Sequence, residues 1–341
     1  MDALTAVAMF GILLSLAFAF TNGYNDAGAD VATIVSSGAA SVKGALLMAG
    51  ASNFVGAMIG GSAVVLTLQG VLTNEIVPVG LAIFSAVAAA NVWNVVTWYY
   101  GIPSSSTHAL IGGLIGVGIA FQGLSGVNWG WNELLAGHLT GVAKVIAFLL
   151  ASVMLGFGGS FILMKLARLL LRKATVNVNR PMKRLQWFTT GVQTLAHGAN
   201  DAQKQMALVA LLLMAMGSST LEVPLWVRLA CAAAMALGTL GGGYRIMRTV
   251  GRKIFKIRPV HALVAQTNAS LTVMFATFLG APVSSTQVVT AGVMGVGSAE
   301  NRRLVHWRVG KDLVVSWFMT IPAAAVLSVV IVIVMRDLLG V

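Results

Sequence analysis

Charged side chains are scarce in this chain. Only 9% of its 341 residues are Asp, Glu, Lys or Arg, against about 25% in soluble domains. With 57% hydrophobic residues and a mean hydropathy of +0.87, this excludes a soluble globule with one anchor and implies a polytopic membrane protein. Cysteine is almost absent: Cys231 alone excludes an internal disulfide framework and any multi-cysteine metal site, and an inert place on a helix face is expected for it. Acidic residues number 10 against 22 Lys and Arg. The resulting +12 does not indicate a nucleic-acid binder, because no soluble basic domain remains to carry that role. A basic leader is also missing, since the first charge is Asp2; the first apolar segment is expected to persist as a membrane helix rather than be removed as a signal peptide. Glycine is plentiful, with 38 residues, which suits close helix approach in lipid.

The basic residues gather in three short loops: Arg172, Lys173, Arg180, Lys183 and Arg184; then Arg245, Arg248, Arg252, Lys253, Lys256 and Arg258; then Arg302, Arg303, Arg308 and Lys311. Such clusters mark the cytoplasmic side. A span needs about 20 apolar residues. Apolar stretches lie at roughly 3–21, 44–68, 78–100, 133–170, 185–197, 224–246, 261–280 and 311–335. Shorter ones, roughly 27–38, 104–120, 201–216 and 285–297, are too brief to span and are expected as half-helices or re-entrant arms. The loops near Glu75, Glu133 and Glu222 lack Lys and Arg and are placed outside, as is the N-terminus; Lys43 falls inside. The hairpin 78–120 then starts and ends outside, and its counterpart 261–297 starts and ends inside. The last segment exits outward. Charge placement alone therefore predicts two repeats of opposite orientation.

Motifs repeat in the same order. Asn22-Gly23-Tyr24-Asn25-Asp26 and later Pro103-Ser104-Ser105-Ser106-Thr107 match His197-Gly198-Ala199-Asn200-Asp201 and later Pro282-Val283-Ser284-Ser285-Thr286. Asn200 follows Asn25 by 175 residues and Pro282 follows Pro103 by 179. Duplicated, interrupted helices at membrane depth characterise secondary transporters. Asn22-Gly23 and His197-Gly198 read as helix interruptions, since Gly permits unusual backbone angles and Asn and Asp favour caps. Unwound carbonyls beside a carboxylate would seat a hard cation.

Asp26, Asp30, Asp201 and Lys204 lie within or beside apolar segments. At about 2.5–3.5 kcal/mol each, they oppose insertion by roughly 10 kcal/mol, so they need a purpose. Interhelical pairing, such as Asp201 with Lys204 at i, i+3, is the plain alternative. The Pro-x-Ser-Ser-Thr elements complement them. Proline halts one helix, Ser or Thr caps the next, and the free amides of that first turn attract an oxyanion. Ordinary N-capping would explain either element alone; two in register predict opposed half-helices facing one anion. An anion about 5 Å from a carboxylate is repelled by about 3 kcal/mol at an effective dielectric of 20. Lys204, with bound Na+ or protons, would offset that repulsion, which predicts symport by electrostatic coupling.

At these residues the chain resembles the inorganic phosphate transporter (PiT) family, over nearly its whole length. The segment His197-Gly198-Ala199-Asn200-Asp201-Ala202-Gln203-Lys204 looks like the bacterial family signature, as does its approach, Val178-Asn179-Arg180 and Arg184-Leu185-Gln186; the paired Pro-x-Ser-Ser-Thr elements match as well. The resemblance implies a carrier of about twelve segments importing phosphate with Na+ or H+. Asn25, Asp26, Asn200 and Asp201 would form the core of its site, with Ser105, Ser106, Thr107, Ser284, Ser285 and Thr286 around the anion. Three positions depart from the pattern. Ala29 replaces the family's second asparagine, Asp30 is an added carboxylate, and Gln205 stands where Thr is usual.

The expected fold is thus an all-α polytopic membrane protein of two inverted repeats with broken helices and re-entrant hairpins. Residues 1–132 form the first repeat, 133–183 a connecting helix and basic loop, 184–310 the second repeat, and 311–341 a C-terminal helix. The expected site assigns Asn25, Ser105, Ser106, Thr107, Asn200, Lys204, Ser284, Ser285 and Thr286 to phosphate, and Asn22, Asp26 and Asp201 to the coupling cation. No catalytic residue, cofactor or metal is expected beyond the transported Na+ or H+. The partners are phosphate, the cation and lipid in a bacterial inner membrane, with a homodimer also compatible. A sulfate or other oxyanion permease is the nearest rival. Phosphate keeps O–H donors for carboxylates to accept, and sulfate does not. A passive channel would not place carboxylates in the path of an anion. A hydrolase built on Ser105, His108 and Asp26 lacks a duplicated histidine, because Gln287 occupies the matching position. Trp93, Trp98, Trp129 and Trp131 are expected to pack or to sit in interfacial belts. Asn91, Asn94, Gln266 and Asn268 are assigned either to the cavity or to helix–helix hydrogen bonds.

Overall fold

The computed structural model describes residues 3–61, 63–73, 78–218 and 222–340. Asp2 and Glu75, on which the expected outside position of the N-terminus and first loop rests, lie outside the described residues. The architecture is all-helical; among the described residues the one extended pairing is an isolated bridge between Leu72 and Val127. Among the described residues, ten helices have 17 residues or more: α1 (Ala3–Asp30), α3 (Val42–Ile59), α5 (Val79–Tyr100), α6 (Ser106–Gln122), α8 (Gly141–Leu170), α9 (Asn179–Ala215), α10 (Leu225–Gly241), α12 (Pro259–Phe278), α13 (Ser285–Asn301) and α14 (Trp307–Leu339). Four are short: α2 (Ala32–Ser36), α4 (Ala63–Gln69), α7 (Trp131–Leu135) and α11 (Tyr244–Arg248). Among the described residues, six spans are long and apolar enough to cross a membrane, or seven with the pair formed by α10 and Tyr244–Lys253, which is bent by 56°.

Both expected hairpins are present, and local chemistry explains them. Helix α5 ends at Gly101 (φ 66) and α12 is followed by Gly280 (φ 65), a left-handed conformation that glycine adopts without steric penalty. Prolines 103 and 282 then prevent helix continuation. Ser105 and Ser284 cap α6 and α13 by accepting from the backbone N–H of His108 (3.1 Å) and Gln287 (3.4 Å).

The expected interruptions at Asn22-Gly23 and His197-Gly198 are absent. Helix α1 runs unbroken through the first motif and α9 through the second. Segment 27–38 is divided between the end of α1 and the short α2, and nearly all of 201–216 belongs to the long α9, so neither stands as an independent half-helix. The glycines serve close packing instead. A Cβ on Gly23 would lie 2.2 Å from the Met235 carbonyl oxygen, and one on Gly198 would lie 2.2 Å from that of Asn53. Their absent side chains let α1 press on α10 and α9 press on α3.

Helices α1 and α9 cross at the centre. Around them α1 packs on α10 and α5, while α9 packs on α3 and α12. Helix α14 lies along hairpin α5–α6, and α8 lies along hairpin α12–α13. Exchanging the first half of the chain for the second converts each of these pairs into another. Hairpin tips rest on the short helices: the Thr249 hydroxyl, just beyond α11, donates to Gly101 O (3.1 Å), and the Thr67 hydroxyl on α4 donates to Gly280 O (2.8 Å). Arg245 also donates to Tyr99 O. The apolar core is correspondingly divided: one cluster underlies hairpin α12–α13, one underlies hairpin α5–α6, and one joins α1, α3, α9 and α10.

Candidate functional site

Where α1 and α9 cross, three carboxylates, an imidazole and an ammonium are buried together. Asp30 and His197 are 0% exposed, Asp201 and Lys204 1%, and Asp26 3%. Helical spacing accounts for the cluster. Asp26 and Asp30 are i, i+4 on α1, as are His197 and Asp201 on α9, so each pair shares one face. The His197 ring spans the gap. Its Nδ1 lies 2.6 Å from Asp30 Oδ2, and its Nε2 lies 3.4 Å from Asp26 Oδ2 and 3.5 Å from Asp201 Oδ2. Gln193, one turn earlier on α9, donates to Asp30 Oδ1 (2.9 Å).

The starts of α6 and α13 both reach this cluster. Thr286 donates to Asp26 Oδ1 (2.5 Å). Ser106 donates to Asn22 Oδ1 (2.5 Å) and, at 3.4 Å, to Asp26 Oδ2. Asn22 in turn donates to Asp201 Oδ2 (2.9 Å). Lys204 Nζ donates to Asp201 Oδ1 (2.7 Å), Thr107 Oγ1 (2.6 Å) and Val283 O (2.8 Å), which uses all three of its protons. The hairpins also touch directly, through Thr107 Oγ1 to Val283 O (3.1 Å) and through the Gln287 amide at 3.1 Å from His108 Nδ1.

The structure thus gathers Asn22, Asp26, Asp201, Lys204, Ser106, Thr107 and Thr286. The other expected site residues have different roles here. Asn25 donates to Asn94 O (3.1 Å) and faces an apolar cavity of about 230 Å³ between α1 and α5, lined also by Phe20, Tyr24 and Trp98. Asn200 braces the second hairpin, donating to Thr277 Oγ1 and Ala281 O at 3.0 Å each. Ser105 and Ser284 act as caps, and the buried Ser285 hydroxyl lacks a hydrogen-bond partner. Ser105, His108 and Asp26 form no relay, because each is engaged elsewhere. Asn91, Gln266 and Asn268 join helices: Asn91 to Leu14 O, Gln266 to Thr33, and Asn268 to Leu155 O and Gly156 O.

Asp30, Gln193 and His197 were not in the expected site. Their signal was the i, i+4 spacing, which becomes visible only if α1 and α9 are read as continuous helices.

Buried charge gathered by two broken hairpins, inside an apolar helical body, is the build of a membrane transport protein rather than an enzyme. Comparison with known proteins defines it further. Residues 22–328 match the model of the phosphate transporter family. A probable low-affinity inorganic phosphate transporter of Rhizobium meliloti is 38% identical over 335 residues, covering 96% of this chain and 97% of its own. One of Bacillus subtilis is 36% identical over 342 residues, covering 97% of each. A solved structure described as the sodium-dependent phosphate transporter superposes with a TM-score of 0.86 at 26% identity, covering 97% of this chain and 99% of that one. The chain belongs to the phosphate transporter family, and it is an integral membrane protein.

Proposed function

We propose that this protein imports inorganic phosphate together with a cation, by alternating access across a bacterial inner membrane. The observation that carries the reading is the contact between buried carboxylates and the starts of both half-helices. The first turns of α6 and α13 carry amides with no intrahelical acceptor and a partial positive charge. Ser106 and Thr286, now donating to Asp26, are the hydroxyls that would turn to an arriving anion. Three carboxylates against one ammonium leave the cluster at a formal charge of −2 before the imidazole is counted, so an anion is repelled until a cation is present. Na+ is the favoured companion, since the similar solved structure is named as sodium-dependent; H+ is the alternative.

The two motif copies belong to units of opposed orientation, with both termini outside. The exchange of packing partners between the halves supports this. It also suggests that α8 and α14, which fall in 133–183 and 311–341, are the matching last helices of repeats 1–132 and 184–310. Alternating access then amounts to one hairpin tip leaving its short helix while the other stays seated.

The test is uptake of labelled phosphate into proteoliposomes, with Na+ and pH gradients imposed separately. Accumulation driven by one gradient is expected, and Asp26→Asn and Asp201→Asn should each abolish it while the protein still inserts. Undiminished accumulation in either variant, or with both gradients collapsed, would reject the proposal.

A further inference from the structure

A buried polar seam leads from the aspartate cluster toward the basic loop at Lys183, with α9 on one side and α2 and α12 on the other. On α9, Gln186, Thr190, Gln193 and His197 stand at i, i+4, i+7 and i+11, which is one face of a helix, and all four are fully buried. That stretch rises about 16 Å, roughly half of a hydrocarbon core. Across from it, the Ser37 hydroxyl donates to Gln186 Oε1 (2.6 Å). The Gln266 amide donates to Thr33 Oγ1 (2.8 Å) and accepts from the Thr189 hydroxyl (2.9 Å). Gln193 joins the seam to Asp30 at its inner end. Two oxygens on the α9 face, Thr190 Oγ1 and Gln193 Oε1, are buried without a hydrogen-bond partner. A seam serving only to join helices would pair them, because a buried unpaired oxygen costs stability.

The other half of the chain shows what a sealed seam looks like. The motif spacings of 175 and 179 residues map Thr33 and Ser37 onto Leu208 and Leu212, Gln193 onto Phe18, and Gln266 onto Val87. Those four mates belong to one apolar cluster. The mate of Gln186 is Gly11, where a Cβ would lie 3.0 Å from the Leu212 side chain. The correspondence extends to the hydrogen bonds: Ser270 donates to Thr189 O (3.2 Å), and its mate Asn91 donates to Leu14 O (3.0 Å), the mate of Thr189. Ser15, the mate of Thr190, is satisfied within its own helix by Gly11 O (2.8 Å). One seam is thus packed with hydrocarbon, and the other is lined with hydroxyls and amides.

We propose that the seam between α9, α2 and α12 is the route by which the companion cation leaves for the cytoplasm, and that Thr190 Oγ1 and Gln193 Oε1 hold it in passing. The inference rests on the reading of the protein as a cation–phosphate carrier with its basic loops inside, and it adds the exit. A cation that left the carboxylates along hydrocarbon would be stripped of every ligand. Neutral oxygens replace part of its hydration shell and release it again. Phosphate is not the passenger, because Asp30 stands at the inner end and repels an anion. Lys183, whose ammonium lies beside Gly38 at the far end, meets bulk water, where its charge is screened within about 8 Å.

Full-length protein carrying Cys231→Ser receives a single cysteine, either Thr190→Cys or, at the mate position, Ser15→Cys. Ag+, a thiol-seeking cation close to Na+ in size, is added in nitrate buffer to sealed membrane vesicles of either orientation. Thiols left unreacted are then counted with a fluorescent maleimide after denaturation. The Thr190→Cys thiol should be lost to Ag+ from the cytoplasmic face, while the Ser15→Cys thiol persists. No reaction in Thr190→Cys, equal reaction of the two thiols, or reaction from the outer face alone overturns the proposal. A second variant, Thr190→Val, removes the partnerless oxygen and keeps a similar shape. It should melt no lower than the wild type, yet turn over labelled phosphate about three- to tenfold more slowly at unchanged KM, the worth of one lost oxygen contact. Undiminished turnover also overturns the proposal. Phosphate uptake by the Cys231→Ser parent is measured in the same vesicles. Uptake by the parent with an unreactive Thr190→Cys rejects only the route; silver reaction without uptake by the parent supports a cation-accessible seam and rejects the transport reading.

Discussion

Replacing Lys204 by methionine removes an ammonium that is 1% exposed and leaves the Asp201 carboxylate without its nearest cation. At 2.7 Å and an effective dielectric of 20, the Coulomb attraction is about 6 kcal/mol. Desolvation of both groups offsets much of that, so removing one partner typically destabilises by about 3–5 kcal/mol. The acceptors Thr107 Oγ1 and Val283 O lose a donor as well, which loosens the seam between the two hairpins. With unfolding entropy of about 2.1 cal/mol/K per residue, Lys204→Met should melt about 4–7 °C below the wild type. The double variant Lys204→Met/Asp201→Asn removes the stranded charge and should recover about 2 kcal/mol of the summed single losses. Tryptophan-fluorescence melts of the detergent-solubilised protein, run as a double-mutant cycle, measure this. Additive single effects would refute the reasoning, because they would mean that Lys204 and Asp201 do not stabilise one another.

Gly23→Ala and Gly198→Ala each place a methyl within 2.2 Å of a facing carbonyl oxygen. Both should destabilise by about 1–3 kcal/mol in the same melts and slow uptake, since each glycine lies three residues from a site aspartate. Thr249→Val and Thr67→Val each remove one hairpin-tip hydrogen bond. Labelling a single cysteine introduced at Ile102 should accelerate in Thr249→Val, and one at Ala281 should accelerate in Thr67→Val; Cys231→Ser supplies the background, and equal rates at both tips in both variants would contradict separate seating.

The hairpins were legible because each element has a local cause. Glycine permits the turn, proline stops the helix, and serine caps the next one, all within six residues. The aspartates and Lys204 were legible because charge in an apolar segment is expensive wherever it falls. The continuity of α1 and α9 was not. Asn-Gly and His-Gly look like breaks locally, but the contacts that decide the matter, with Met235 and Asn53, lie far away in sequence. A break at either glycine would destroy the i, i+4 register of Asp26 with Asp30 and of His197 with Asp201, so the histidine that joins them is legible only in continuous helices. The role of Asn200 as a brace was equally invisible, since its partners Thr277 and Ala281 belong to the other arm.

Asp26 and its hydroxyl donor Thr286 are separated by 260 residues, and Asp30 meets His197 only after 167. At about 5–20 residues per second of synthesis, Asp26 waits roughly 10–50 s for Thr286 to leave the ribosome. For most of that interval, until His197 and Lys204 are made, Asp26 and Asp30 have no basic partner from α9. A nascent chain stalled before the second motif is therefore expected to be a substrate for quality-control proteolysis.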